Sequence, residues 1–213
     1  MCNLYRLHSG TAAIARLFDA VAGPDSNRGD EIYPGYPGLV VADGVVRTMT
    51  WGFPLVLKGR QGQPLKPKAV TNAREDKLHT AFWKASFAAR RCLIPVSAWA
   101  EAEGAAGQMT RTWYGLPGSA TPGDAPFAVA GLWRPTDQWG DAYAMVMVNA
   151  SAQMAQVHDR MPVILRPADW PVWLHAEPAQ AFAVCRTWTD PLTVDRSAER
   201  WAGGGIAQPR LFD

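Results

Sequence analysis

Charge of one sign is what this sequence most conspicuously lacks. Its 21 Lys and Arg are nearly matched by 19 Asp and Glu, giving a net charge of +2. Strong basicity of the kind that coats duplex DNA is therefore excluded, although a local nucleic-acid groove is not. No apolar run reaches the roughly 20 residues that a membrane helix needs. The first ten residues, MCNLYRLHSG, show no charged leader followed by an apolar stretch, so a cytoplasmic protein is expected. Cysteine is scarce. Cys2, Cys92 and Cys185 form neither a CxxC pair nor a disulfide framework, and with only 4 His there is no clustered ligand set. Neither a metal nor another cofactor is expected. Repeats and low-complexity segments are absent too.

The chain does have hydrophobic residues at 48% and charged residues at 19% over 213 residues, the composition of one ordinary globular core. A single domain spanning residues 1–213 is expected. Ile14, Leu17, Phe18 and Val21 recur at helical spacing across Gly10 to Ala22. A loop follows from Gly23 to Gly38, and Leu39 to Val41, Asp43-Gly44 and Val45-Val46 read as a hairpin. Met49 to Leu57 reads as extended, and Lys58 to Lys68 as a polar loop. Asn72 to Arg91 reads as a helix, capped by Asn72 with Glu75 and facing inward through Leu78, Phe82, Ala85 and Ala89. Strands are expected at Cys92 to Trp99, Thr110 to Leu116, Phe127 to Trp133 and Tyr143 to Asn149, with a turn across Gly115 to Pro126. Short helices are expected at Ser151 to Val157 and Asp169 to His175, and a late strand at Ala181 to Arg186. Strands outnumber helices without βαβ alternation. The fold class is thus α+β, with a mainly antiparallel, barrel-like sheet and a few flanking helices.

Several residues could carry chemistry, and each has a structural alternative. Removal of Met1, usual before a small residue, would leave Cys2 with a free amine beside its thiol. Their ordinary pKa values of about 8 and 8.5 leave both usable near neutrality. An amine condenses with an aldehyde to an imine, and the neighbouring thiol can then close a thiazolidine ring. The alternative is an incidental buried thiol. His158, ahead of Arg160-Met161-Pro162, is either a proton shuttle or a helix-end histidine bonded to backbone. Arg160 pairs with phosphate or with Asp159. Glu101 or Glu103, after the apolar run CLIPVSAW, is either a general acid or a solvated turn acid. Asn72 and Arg74 read equally as helix-start residues. The 10 Trp supply base-stacking platforms or large core residues.

Taken together, Met1-Cys2, Trp51-Gly52, Thr71-Asn72-Ala73-Arg74, Arg91-Cys92-Leu93-Ile94-Pro95, Glu101, Ala130-Gly131-Leu132-Trp133 and His158-Asp159-Arg160-Met161-Pro162 resemble the SOS-response-associated (SRAP) family. The blocks follow the family's order over roughly residues 1 to 165. The resemblance implies a compact α+β domain that crosslinks covalently to abasic sites in single-stranded DNA, often near a single-strand to duplex junction, and acts as a monomer. Cys2 would be the nucleophile, Asn72 would hold Cys2 or the sugar, Glu101 would move protons during ring opening, and His158 would assist at the imine. Arg74 and Arg160 would contact phosphate, Trp51 would border the DNA groove, and a weak lyase activity by β-elimination would accompany the chemistry. The sequence departs from the family in reading Asn3 and Leu4 where Gly and Arg are usual, and Asp76 where Glu is common. Tyr33-Pro34-Gly35-Tyr36-Pro37 replaces an Ala-Pro block, and the block around Glu101 lacks its usual aromatics. A cysteine peptidase built on Cys2, His158 and Glu101, and a non-covalent single-strand-binding module, are the competing expectations.

Overall fold

The computed structural model describes residues 2–26, 28–118 and 126–201. Its elements begin with β1 (Tyr5–Arg6), α1 (Thr11–Leu17), β2 (Val21–Ala22), β3 (Glu31–Ile32), β4 (Pro37–Ala42), β5 (Val45–Trp51), β6 (Phe53–Leu55), β7 (Lys68–Val70) and β8 (Asn72–Arg74). A 3-10 turn at Glu75–Lys77 leads towards α2 (Lys84–Ala89), β9 (Arg91–Val96), β10 (Ala98–Glu103), β11 (Thr110–Gly115), β12 (Phe127–Thr136) and β13 (Gly140–Asn149). The described chain ends with β14 (Arg160–Pro162), β15 (Ile164–Leu165), α3 (Trp170–His175), α4 (Pro178–Ala183) and β16 (Thr193–Arg200).

Strands β13, β12, β9, β4 and β5 pair in that order, and β5 then pairs back to β13, closing a five-stranded barrel. Five strands cannot alternate direction all the way round a ring, so one pair must be parallel. That pair is β5 with β13, joined at Ala142–Thr50 and Tyr143–Trp51. At this closure Gly52 donates its N–H to the Tyr143 carbonyl at 2.7 Å. Gly52 has φ +117°, and a Cβ there would lie 2.6 Å from that of Ala69. Trp51 is wholly buried, edge-on to Tyr5 at 5.0 Å. The Trp51-Gly52 pair therefore closes the barrel. The expectation that Trp51 borders a DNA groove is corrected: an indole with no exposed surface cannot stack on a base.

A second sheet, ordered β16-β11-β10-β1-β3, packs over the barrel. Its inward residues Tyr5, Trp99 and Tyr114 join the main core, where Trp99 stacks on Tyr114 at 5.6 Å. The Tyr5 hydroxyl hydrogen-bonds that of Tyr143, tying this sheet to the barrel. The other face of the sheet buries Leu4, Ala98, Ala100 and Trp113 in a small separate cluster. Leu4 thus serves packing where the family's usual Arg would be charged.

The hairpin forms as expected, with Asp43 at φ 52° and Gly44 at φ 72° in its turn. Helix α1 buries Ile14 but stops at Leu17, since Asp19 turns left-handed at φ 49° and Val21 is exposed on β2. The long helix expected over Asn72 to Arg91 is absent. Its first three residues extend along β13 as β8, pairing Met145–Asn72, and only Lys84–Ala89 is α-helical. Asn72 is consequently not a helix cap, because parallel pairing with a buried strand outweighs a local capping preference. Ala85 and Ala89 are exposed. Ser151 to Val157 forms successive turns, and the strand expected over Ala181 to Arg186 is absent: its first three residues end α4, where Pro178 suits a first helical turn, and the chain then leaves the helix. Strand β16 was not expected; it adds to β11 as an edge with mostly exposed residues. The turn expected across Gly115 to Pro126 lies partly outside the described residues. The helices α2 and α3 are anchored by the buried Arg91, whose guanidinium donates to the carbonyls of Phe87, Ala88, Trp173 and Ala176 near their C-terminal ends.

Candidate functional site

Cys2 lies against the start of β1, completely buried. Its thiol donates to the Leu4 carbonyl at 3.5 Å. Burial pushes the thiol pKa up strongly, and the charge of nearby Glu101 adds to the rise. The sulfur is thus held as a neutral S–H, and thiolate chemistry is disfavoured.

Asn72 reaches this residue from β8. Its Nδ2 donates at 2.8 Å to the Cys2 carbonyl and at 2.8 Å to Thr71 Oγ1, which in turn donates to Asn3 Oδ1 at 3.4 Å. Both amide hydrogens are spent in fixing the backbone around Cys2. Asn72 Oδ1 is buried without a hydrogen-bond partner, an acceptor waiting for a donor. Thr71 did not stand out in the sequence, because a hydroxyl beside a candidate Asn carries no distinctive pattern.

Glu101 and Glu103 are separated by strand geometry. Glu101 sits in the middle of β10, two residues beyond the inward-facing Trp99 and opposite Thr112, and is 2% exposed. Burial raises its pKa to about 7. Glu103 lies at the strand end, held by Thr112 Oγ1 and by Arg196 at 3.1 Å. Those hydrogen bonds, led by that of Thr112, keep its carboxyl below the usual range. One glutamate is poised to exchange a proton near neutrality; the other is a fixed anion.

His158 closes the turns that follow β13. Its Nδ1 accepts the Arg160 N–H at 2.9 Å, which places the ring proton of the neutral imidazole on Nε2. Burial lowers its pKa, favouring that neutral form. The adjoining Asp159 is near enough for its charge to act on Glu101, so the His158 turn and β10 approach the same region as Cys2.

Arg74 and Arg160 are less available than the sequence suggests. Arg74 is half-exposed but makes a two-pronged pair with Asp76 at 3.0 and 2.7 Å, and Arg160 contacts both Glu75 oxygens at 3.3 Å. A cleft of about 220 Å³ opens beside Asn72, lined also by Leu55, Val70, Arg74, Lys77, Phe82 and Trp83. Of its aromatic wall, Phe82 reads in the sequence as an inward residue of a helix, whereas Trp83 carries no signal there. Among the described residues no group of three His, Cys, Asp or Glu could hold a metal ion, and no helix is long and apolar enough to cross a membrane.

Barrel, covering sheet and a cysteine held by Asn72 beside a protonatable glutamate together define a single-domain α+β protein with its candidate site at the amino terminus. The chain belongs to the SRAP family, described as SOS response associated peptidase, whose model matches residues 1–197. Membership associates it with the SOS response to DNA damage and with a peptidase-like class. Its fold is similar to that of a crystal structure from Bordetella bronchiseptica, with a TM-score of 0.74 and 22% identity over 92% of this chain and 99% of that one. A structure from Bacteroides thetaiotaomicron gives 0.70 and 12%, covering 92% of each chain. A phage-related protein from Bordetella bronchiseptica gives 0.64 and 20%, covering 92% and 94%. Comparison with curated protein sequences found no match.

Proposed function

We propose that this protein forms a covalent thiazolidine crosslink between Cys2 and abasic sites in single-stranded DNA, after hydrolysis of the bond between residue 1 and Cys2. The observation that carries this reading is the Asn72 amide, which fixes the Cys2 carbonyl at 2.8 Å while leaving a buried acceptor at the cleft. The freed amine adds to the C1 aldehyde of the ring-opened sugar. The resulting carbinolamine loses water to give the imine, with protonated Glu101 supplying the acid for the departing hydroxyl. The Cys2 sulfur then bonds to the same carbon, the thiol proton passes to the imine nitrogen, and the ring closes. One aldehyde, one amine and one thiol give a thiazolidine and one water. His158, whose Nε2 carries the ring proton, assists at the imine as a hydrogen-bond donor. Diversion of the imine by β-elimination accounts for weak strand cleavage. Asn72 Oδ1 receives a sugar hydroxyl, and the cleft beside it receives the strand, without metal or cofactor.

The thiol's raised pKa favours this amine-first chemistry over a cysteine peptidase, which needs a thiolate before it can attack. A denaturing gel with intact mass tests the reading on single-stranded DNA containing one abasic site. Wild type should give a shifted band with the thiazolidine mass in the absence of borohydride, and Cys2→Ala or undamaged DNA should give none. Absence of the adduct from protein whose first residue is confirmed as Cys sinks the proposal. Peptidase activity that survives chemical blocking of the amine would favour the competing reading.

A further inference from the structure

We propose that the β6–β7 hairpin is a cationic arm that holds the phosphates of the strand leaving the cleft, through Lys58, Arg60, Lys66 and Lys68. This rests on the crosslinking reading and adds to it the path of the strand beyond the reacting nucleotide. Between Asp43 and Glu75 the sequence has six Lys or Arg and no acid, in a protein whose net charge is only +2. Four of the six stand on this arm. All four are exposed, and among the described residues no acid or carbonyl holds their side chains. The cations nearer Asn72 differ, since Arg74, Lys77 and Arg160 each have a carboxylate beside them.

The base of the arm is fixed by the core. Phe53 is buried against Phe82 and Trp83 and pairs with Val70, while Ala69 packs against Gly52. From that base Leu55 and Val70 line the same cleft as Asn72. Lys68 lies opposite Leu55 in the register and two residues from Val70, so strand alternation puts it on the face bordering the cleft. Further out, Leu65 donates its N–H to the Leu57 carbonyl at 2.8 Å and Lys58 bridges to Pro64. Gly59 donates to the Gln63 carbonyl at 2.7 Å, and Gly62 turns the tip at φ +81°. Arg60 thus lies at most about 17 Å along the chain from Leu55. Cations spread over that reach meet successive phosphates rather than one ion, and they have no carboxylate to release first. Val56, Leu57 and Leu65 are exposed among them, as an interaction surface requires. Cations with exposed aliphatics also suit an anionic lipid surface, but continuity with the cleft favours the strand.

The test compares wild type with the variant Lys58→Gln, Arg60→Gln, Lys66→Gln, Lys68→Gln by fluorescence anisotropy over a salt series. The probe is an undamaged single strand of about fifteen nucleotides. The variant should bind at least about tenfold more weakly, and its salt slope should fall by about 2.8, from four phosphate contacts at about 0.7 each. The charge-preserving variant Lys58→Arg, Lys66→Arg, Lys68→Arg should bind as wild type does. Unchanged affinity and slope in the Gln variant overturn the proposal, as does an equal loss in the charge-preserving one. Vesicles containing anionic lipid provide the second arm. Wild type that sediments with them, beside a Gln variant that does not yet binds the strand normally, would assign the hairpin to a membrane surface instead. Failure of wild type to form any adduct with an abasic strand is a separate result, which removes the crosslinking reading and leaves this comparison readable.

Discussion

At the scale of single residues, Glu101 carries the sharpest pH dependence. Its ionised form is disfavoured by burial, so its pKa in the folded protein, about 7, lies above the ordinary 4.5. The stability that comes from keeping it protonated is complete below 4.5 and is lost as pH rises to 7 and beyond. The loss amounts to about 3 kcal/mol at most. Glu101→Gln should therefore melt higher than wild type at pH 8 and differ little at pH 4.5, as thermal unfolding would show. Adduct formation should respond in the opposite sense. The variant should be slower by about 10²–10⁴ and should lose the decline in rate that deprotonation of Glu101 imposes above pH 7. A faster variant at high pH, or a wild-type profile flat through 7, would contradict the assignment of Glu101 as the acid.

Among the elements, β4 and β9 show how tightly the barrel constrains its own sequence. Gly38 on β4 sits beneath the Tyr5–Tyr143 hydroxyl pair, and a Cβ there would collide with both oxygens. Gly38→Ala should cost about 1–3 kcal/mol by overpacking, read from denaturant unfolding. A neutral result would mean that the two sheets slide apart without penalty. Arg91, at the start of β9, is the corresponding anchor for helices. Its removal would leave the carbonyls at the ends of α2 and α3 without their donor, so Arg91→Ala should cost about 3 kcal/mol and increase amide exchange in Trp170–His175 first. Uniform loss of protection through the whole chain would argue that Arg91 holds the barrel itself. The elements legible in the sequence were those whose local signals agreed with their surroundings: the Asp43-Gly44 hairpin, the strands β9 and β11 to β13, and α3. Asn72 to Arg74 was illegible as a strand because its partner, Met145 to Met147, lies more than seventy residues away and outranks the local capping pattern.

For the whole molecule, the five-stranded closure matters more than any one contact. Trp51 fills the place where β5 meets β13, with no exposed surface. Trp51→Ala should lower stability by about 3–5 kcal/mol while leaving the affinity of the remaining folded protein for single-stranded DNA unchanged. Reduced affinity with unaltered melting would restore the DNA-groove role that burial argues against. With a net charge of +2, overall field contributes little, so on the proposed reading affinity for a strand would depend on local cations and their partners. Cations are not equal in this respect, since Arg74, Arg160 and Arg47 are paired within the protein.

By itself the sequence determined the α+β class and most strands around the barrel, and it singled out Cys2, Asn72, Glu101 and His158 as candidates. Alternation, turn residues and short motifs are local properties, and they survive in a single chain. Which glutamate is protonatable, which arginines are already neutralised, and whether a tryptophan faces water or core were decided only by tertiary structure. Glu101 and Glu103 differ by two positions and share a strand face, yet burial gives one a pKa near 7, while hydrogen bonds from Thr112 and Arg196 hold the other as an anion. Desolvation and ion pairing depend on neighbours brought from distant parts of the chain, and no local pattern encodes them.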